Sequence, residues 1–270
     1  MHLVITGSSS GIGRALAAHF LAGGHQVWGL ARSAQDDWVA AHAGNFRASR
    51  CDVGRWPEVE AAAAEIGAAW PVIEGLVCCA GWQGEIGPAL AAHPLRWSAT
   101  VRANLEGTYF PLRAFASRLR QGRRPKFICF SGGGSTKPRP NFSAYGAAKT
   151  AIVRLVETIA AEEGSELDIN AVAPGAVTTR MTEEVLRLGA AVAGPAEYEA
   201  ALRQKAQGSA TPARAIALVE WLLSPASDGI SGRLLSAPWD AWENLAEQKD
   251  DLVGSDAYTL RRVDGPPKRT

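Results

Sequence analysis

Apolar residues fall along this chain in two alternating rhythms. Short, nearly unbroken runs, HLVIT (2–6), QVWGLA (26–31), FRASRC (46–51), GLVCC (75–79), KFICFS (126–131), LDINAV (167–172) and RLLSA (233–237), have the length and β-branched content of strands. Between them, segments 12–22, 35–43, 57–69, 95–120, 143–163 and 212–223 repeat apolar positions at helical spacing. Strands that are apolar throughout must be covered on both faces, which is the condition of a parallel sheet between helical layers. Right-handed crossovers then give an α/β fold with a doubly wound, seven-stranded parallel sheet. No Pro-, Gly- or Ser-rich linker divides the chain and no internal repeat is visible, so a single domain is expected over 1–237. Segment 180–210 is helical but falls outside the alternation, as a lid would. Residues 238–270 form a C-terminal extension whose last residues are expected to be disordered.

Composition adds mainly exclusions. The 270 residues are 47% hydrophobic and 20% charged, with a net charge of +1, which gives no electrostatic footprint for nucleic acid or an anionic membrane. No apolar run approaches the roughly 20 residues of a membrane span. Met1 leads directly into an apolar strand without the charged and cleavable features of a secretion signal, so a cytoplasmic location is expected. Cys51, Cys78, Cys79 and Cys129 all lie in strand-like runs without C-x-x-C spacing; they are read as buried small hydrophobes rather than disulfides or metal ligands.

Candidate chemistry begins after the first strand. TGSSSGIG (6–13) joins that strand to a helix, where backbone N–H groups and the helix N-terminus favour a pyrophosphate. Gly7 lets the chain turn, and Gly11 and Gly13 leave room for a cofactor. The candidate cradle comprises Gly7, Ser9, Ser10, Gly11, Ile12 and Gly13. Strand two ends at Ala31–Arg32, where an NAD enzyme would carry an acidic residue for the ribose 2′-OH. The planar fork of Arg32 suits a 2′-phosphate instead, which favours NADP(H) over NAD(H); a surface arginine closing the strand is the plain alternative. Later in the chain, Tyr145 and Lys149 stand four residues apart on one helix face. An ammonium beside a phenol favours the phenolate, as a general acid–base requires.

These motifs, in this order and on these elements, resemble the short-chain dehydrogenase/reductase family, in its single-domain branch of about 250 residues: T-G-x-x-x-G-x-G, an Asp after strand three, A-G after strand four, an Asn in the long helix, Y-x-x-x-K and P-G-x-V-x-T. The resemblance covers about residues 2–237 and implies a Rossmann fold. It further implies that Tyr145 is the acid–base, that Lys149 supports it and bonds the nicotinamide ribose, and that Asn104 holds a water connecting the lysine to solvent. By the same resemblance Asp52 meets the adenine amino group and Val53 its ring, Ala80 and Gly81 border the cofactor, and Pro174 and Gly175 shape a turn. There the Val177 backbone and the Thr179 hydroxyl hold the nicotinamide carboxamide.

Two departures stand out. CCAG (78–81) replaces the family's N-N-A-G, removing two asparagine side chains that would brace the sheet. Gly132 occupies the place of the family's serine, thirteen residues before the tyrosine. Ser131 is adjacent, but strand alternation points it to the other face. Ser135 follows a flexible triple glycine and is the preferred stand-in, with Tyr145 alone or backbone N–H groups of the loop as alternatives. Trp82, Phe142 and segment 180–210 are expected to wall the substrate side. Trp239 and Trp242 are expected to share one helix face. The leading expectation is an NADP(H)-dependent ketoreductase or alcohol dehydrogenase acting on a small-molecule carbonyl or alcohol, as a homodimer or homotetramer. A low-turnover dinucleotide-binding sensor or scaffold is the alternative, and epimerisation or dehydration ranks last.

Overall fold

The computed structural model describes residues 1–119, 121, 124–177, 179–206 and 212–262. In chain order the elements are β1 His2–Thr6, α1 Gly11–Ala22, β2 Gln26–Ala31, α2 Asp36–Ala41, β3 Phe46–Arg50, α3 Trp56–Ala69, β4 Gly75–Cys78, α4 Pro94–Val101 and α5 Gly107–Leu119. They continue with β5 Lys126–Phe130, α6 Ser143–Glu163, β6 Asp168–Ala173, α7 Arg180–Leu188, α8 Ala190–Ala193, α9 Pro195–Ala206, α10 Ala213–Leu223, β7 Leu234–Ser236 and α11 Lys249–Leu252. The seven strands form one sheet in the order β3-β2-β1-β4-β5-β6-β7, with every pairing parallel.

The two-residue period of the strands divides the core into two layers. Val4, Leu76, Phe127 and Ile169 face α3, α5 and α6, where they meet Ile66, Phe115 and Ile152. Their chain neighbours Leu3, Ile5, Val77 and Ile128 face the other way, onto Leu16 and Phe20 of α1 and Leu218 and Leu222 of α10. Strand order reverses between β1 and β4, and the crevice beyond the carboxyl ends of these strands is where ligands bind in such sheets.

The structure changes several expectations. The helix expected over 95–120 is interrupted: α4 and α5 are separated by a wider π turn at Arg102–Glu106. Such turns insert an extra residue into the ladder and occur disproportionately at functional sites. Cys78 and Cys129 lie in strands, but Cys51 and Cys79 stand just past strand ends, and all four thiols are free. The segment expected to be a lid holds three helices, α7 to α9; its residues 207–210, like the chain end expected to be disordered (263–270), lie outside the described residues.

The C-terminal extension packs on its own chain. Leu234 N–H donates to the Tyr258 carbonyl. Arg233 donates to the Leu252, Ser255 and Ala257 carbonyls. Arg154 donates to the Leu260 carbonyl, and Leu260 N–H donates to Glu157 on α6. The two tryptophans part company: Trp242 is buried in a short 3₁₀ turn against Trp221, whereas Trp239 is 85% exposed. The turns between them break the helical period on which a shared face depends.

Candidate active site

The crevice is one continuous cavity of about 1220 Å³. At its floor the turn after β1 is held closely: Gly7 has φ +70°, and a Cβ there would stand 2.8 Å from the Ala80 nitrogen. A Cβ on Gly13 would fall 2.5 Å from the Gly7 carbonyl oxygen, so α1 can start only where a glycine permits contact with the turn. Thr6 Oγ1 accepts from Ala80 N–H at 3.1 Å, joining the ends of β1 and β4. Ser8 donates to the buried Gln35 at 3.0 Å, fixing the turn to the segment after β2. The first turn of α1 carries no acidic residue, and Ser10 makes no side-chain cap. A helix N-terminus so left, at the end of a close-packed glycine turn, fits the pyrophosphate of a dinucleotide.

The candidate cofactor residues line this cavity together: Ser9, Ser10, Gly11 and Ile12 at the turn, Asp52 and Val53 past β3, Ala80 and Gly81 past β4, and Pro174, Gly175, Val177 and Thr179 past β6. Asp52 Oδ1 accepts from Gly54 N–H at 3.0 Å, which fixes the carboxylate at the rim. Arg32 is exposed on the same rim and has no partner among the described residues. Thr179 caps α7, its hydroxyl accepting from Met181 N–H at 3.2 Å. Its own hydroxyl hydrogen stays free of that bond.

At the other end stand Tyr145 and Lys149, 7% and 4% exposed on α6. Lys149 Nζ donates to the Phe130 carbonyl at 2.8 Å and lies 5.5 Å from the Tyr145 ring centroid. Burial lowers the lysine from its ordinary 10.5 to about 8, partly opposed by the thiols of Cys129, Cys79 and Cys78. Burial raises the Tyr145 phenol, with Arg139 pulling the other way.

Asn104 does not line the cavity. It sits in the π turn, its Nδ2 donating to the Trp82 and Thr100 carbonyls at 2.9 Å each. Its carbonyl, the group nearest in kind to a water-holding acceptor, already accepts from Thr108 Oγ1 at 2.8 Å. The open group is instead Oδ1, buried without a partner. A Cβ on Gly81 would lie 2.8 Å from this oxygen and 3.6 Å from Lys149 Nζ, so both polar atoms stand close against the Gly81 backbone.

Gly132 faces Tyr145 directly: a Cβ there would stand 2.9 Å from the phenol oxygen. The tyrosine tip thus occupies space that a side chain at 132 would need. Ser131 Oγ donates to the Lys149 carbonyl at 3.3 Å and is spent on holding α6. Ser135 borders the cavity, 6% exposed; its N–H donates to the Gly132 carbonyl at 3.2 Å and its carbonyl accepts from Thr150 Oγ1 at 3.1 Å. On the substrate side Trp82 lines the cavity with its indole N–H buried and unpaired. Phe142 packs in one cluster with Tyr145, Val185, Ala193 and Ala201, which brings α7, α8 and α9 over this end of the cavity.

Sequence reasoning missed Arg139, 5.7 Å from the Tyr145 ring centroid, and its partners Gln83 and Glu197. Arg139 was visible as the one charge in the run PRPNF before the catalytic-type helix, but its partner Glu197 is 58 residues away and carries no local signal. Trp239, exposed at the cavity mouth beside Pro238 and Gly175, was also missed as a lining residue.

Comparison with known proteins identifies the family. The short chain dehydrogenase family model matches residues 1–187. Galactitol 2-dehydrogenase (L-tagatose-forming) of Cereibacter sphaeroides is 31% identical over 239 residues, covering 86% of this chain and 91% of that protein. Short-chain reductase protein NovJ of Streptomyces niveus is 31% identical over 243 residues, covering 85% and 89%. Among solved structures the KRED1-Pglu enzyme superposes with a TM-score of 0.80 at 25% identity, covering 87% of this chain and 99% of that one. With a glycine cradle at the strand-order reversal, a Tyr–Lys pair at the other end of the same cavity and these relatives, the chain belongs to the short-chain dehydrogenase family of nicotinamide-dependent oxidoreductases.

Proposed function

We propose that this protein is an NADP(H)-dependent ketoreductase or alcohol dehydrogenase for a small metabolite, with Tyr145 as acid–base. The observation that carries the reading is the placement of the Tyr145 hydroxyl: it faces the cavity beside Gly132, with Lys149 Nζ 5.5 Å from its ring. Nicotinamide, when bound, supplies or receives the hydride. Tyr145 gives its proton to the carbonyl oxygen in reduction and takes it back in oxidation. Lys149 supports the ionised phenol, and Asn104 Oδ1, buried without a partner against Gly81, is the acceptor that a proton-relaying water would need. Backbone N–H groups of the Gly132–Gly134 loop and Ser135 are the candidates for holding the substrate oxygen opposite Tyr145. Arg32, exposed and unpaired at the adenosine rim, favours a 2′-phosphate. Helices α7–α9 serve as the substrate lid of the 1–237 domain.

A second reading, a low-turnover dinucleotide sensor, is favoured by Gly132 alone, since one lost oxyanion donor costs on the order of 3 kcal/mol of transition-state stabilisation. Following NADPH oxidation across a carbonyl library separates the two. The enzyme reading expects turnover with at least one ketone and none in Tyr145→Phe, which still binds NADPH. It also expects NADPH to bind at least tenfold more tightly than NADH in a fluorescence titration. Equal affinities remove the Arg32 argument, and binding without turnover selects the sensor.

A further inference from the structure

One guanidinium links the lid to the acid–base centre. Arg139 arises from the loop between β5 and α6, where prolines on both sides, Pro138 and Pro140, restrict its backbone. Its Nε and Nη2 donate to the two carboxylate oxygens of Glu197 on α9, at 2.9 and 2.7 Å. Nη2 also reaches the Gln83 side-chain oxygen at 3.2 Å, in the amide orientation that lets Gln83 donate to the Met181 carbonyl of α7 at 3.1 Å. The same guanidinium lies 3.9 Å from the Phe142 ring centroid and 5.7 Å from that of Tyr145. Arg139 is 16% exposed and Glu197 29%, so the pair is only partly screened by solvent.

We propose that Arg139 is a positioning residue for the reaction: it ties the lid helices to Tyr145, and the degree to which Glu197 neutralises it sets how readily the phenol gives up its proton. This rests on the reading of Tyr145 as the acid–base. A cation over the ring stabilises phenolate, and a carboxylate clamped to that cation cancels much of the effect. With the clamp made, the site keeps Tyr145 as phenol, the form that donates to a carbonyl. The balance of burial against Arg139 at the phenol runs the same way. Other charges around the ring are accounted for. Lys149 Nζ lies 5.5 Å from its centroid on α6, and among the described residues just past β4 the polar side chains lining the cavity are Cys79, Trp82 and Gln83, none of them a carboxylate or a cation. The lid presents apolar Val185 and Ala201 to Tyr145, while Lys137, Arg180 and Glu184 line the wider cavity.

Opposite substitutions on the two ends of the clamp make the test. Tyrosine labelled at Cζ is followed by NMR as pH rises, and the Tyr145 signal is identified by its absence in Tyr145→Phe among the four tyrosines of the chain. No substrate is needed, so an absence of turnover with every carbonyl would overturn the proposed function and leave this readout standing. Glu197→Gln frees the cation, and the Tyr145 midpoint is expected to move to lower pH. Arg139→Met removes it, and the midpoint is expected to move to higher pH. Hydrogen exchange in residues 180–206 is expected to quicken about tenfold in both variants, because a charge-assisted bidentate contact is lost in each. Arg139→Lys keeps the charge without the fork. It is expected to loosen the lid while moving the midpoint less than Arg139→Met, and it serves if the methionine variant fails to fold. Midpoints that shift in the same direction, or stay still, overturn the electrostatic role; unchanged lid exchange overturns the tie.

Discussion

Lys149 carries a charge in a place that resists one. The residue is enclosed by the ends of β4 and β5, with the Phe130 carbonyl accepting from its ammonium. Its proton affinity falls from 10.5 to about 8, first through lost hydration, with the neighbouring thiols pulling weakly upward. Below pH 8 the ammonium is present in both the folded and unfolded chain, and burying it costs stability. Between pH 8 and 10.5 the folded chain has shed the proton while the unfolded chain retains it, so stability rises with pH across that window. At about 1.4 kcal/mol per unit, the relief is on the order of 3 kcal/mol. The wild type is therefore expected to gain urea resistance from pH 8 to 10 relative to Lys149→Met, in which the gain is absent. Parallel midpoints of the two proteins across this range would refute the burial argument. The pairing of Lys149 with Tyr145 was legible in the sequence because four residues on a helix fix a shared face without knowledge of the rest of the fold. The Arg139–Glu197 clamp was not, because α6, β6, α7 and α8 all intervene between its ends. Asn104 was legible as a position but not as a geometry: the π turn that holds it leaves no mark in the apolar period of 95–120.

The loop Ser131–Asn141 decides how α6 presents its chemistry. Thr150 Oγ1, one turn beyond Gly146, lies 3.3, 3.1 and 2.9 Å from the Gly134, Ser135 and Gly146 carbonyls and shares its single hydrogen among them, docking the loop on the helix. Two glycines in the loop have different reasons to be glycine. Gly134 has φ +97°, and a Cβ there would lie 3.1 Å from the Gly146 Cα, against backbone that cannot retreat. Gly132 has no such backbone obstacle; its Cβ would meet the movable tip of Tyr145. Gly134→Ala is accordingly expected to cost about 1–3 kcal/mol of stability through strain and crowding, visible as a lowered Tm. Gly132→Ala is expected to leave Tm within a degree or two but to reduce kcat about tenfold by displacing the phenol, since angstrom-scale misplacement of a reacting group is costly. The reverse pattern, a stability loss at 132 with kcat intact, would show that the phenol is placed by something other than the open space beside it. In the sequence the triple glycine reads as freedom for Ser135 to swing inward. The structure shows constraint instead: at Gly134 the chain needs a conformation that side chains avoid, and the Ser135 backbone is tied at both its N–H and its carbonyl.

Across the whole molecule, the alternation of strands and helices conveyed the sheet, its parallel sense and its two apolar faces, because each depends on local periodicity. The path of residues 238–262 was hidden, because it is set by contacts with elements up to 106 positions earlier in the chain. That path matters for association. β7 ends the sheet, and an uncovered edge strand is a template for pairing with another chain. Here Tyr258 takes the Leu234 N–H at 2.8 Å, and Arg233 reaches across the edge to three carbonyls of the extension. Glu157 and Arg154 of α6 anchor the far side, where Arg261 adds an ion pair to Glu157 at 3.0 Å. The extension also brings Trp239 and Tyr258 to the cavity mouth, so the same strap that covers the edge borders the active cavity. Arg233→Met leaves three carbonyls of the strap without their donor and is expected to free it. The expected signs are faster hydrogen exchange in 250–262 and at the Leu234 amide, with a loss of about 1–3 kcal/mol of stability. Oligomers that grow with concentration should follow, as the β7 edge opens to a second copy. If the strap exchanges freely while light scattering reports no new association, the edge is guarded by the short length of β7 rather than by the extension.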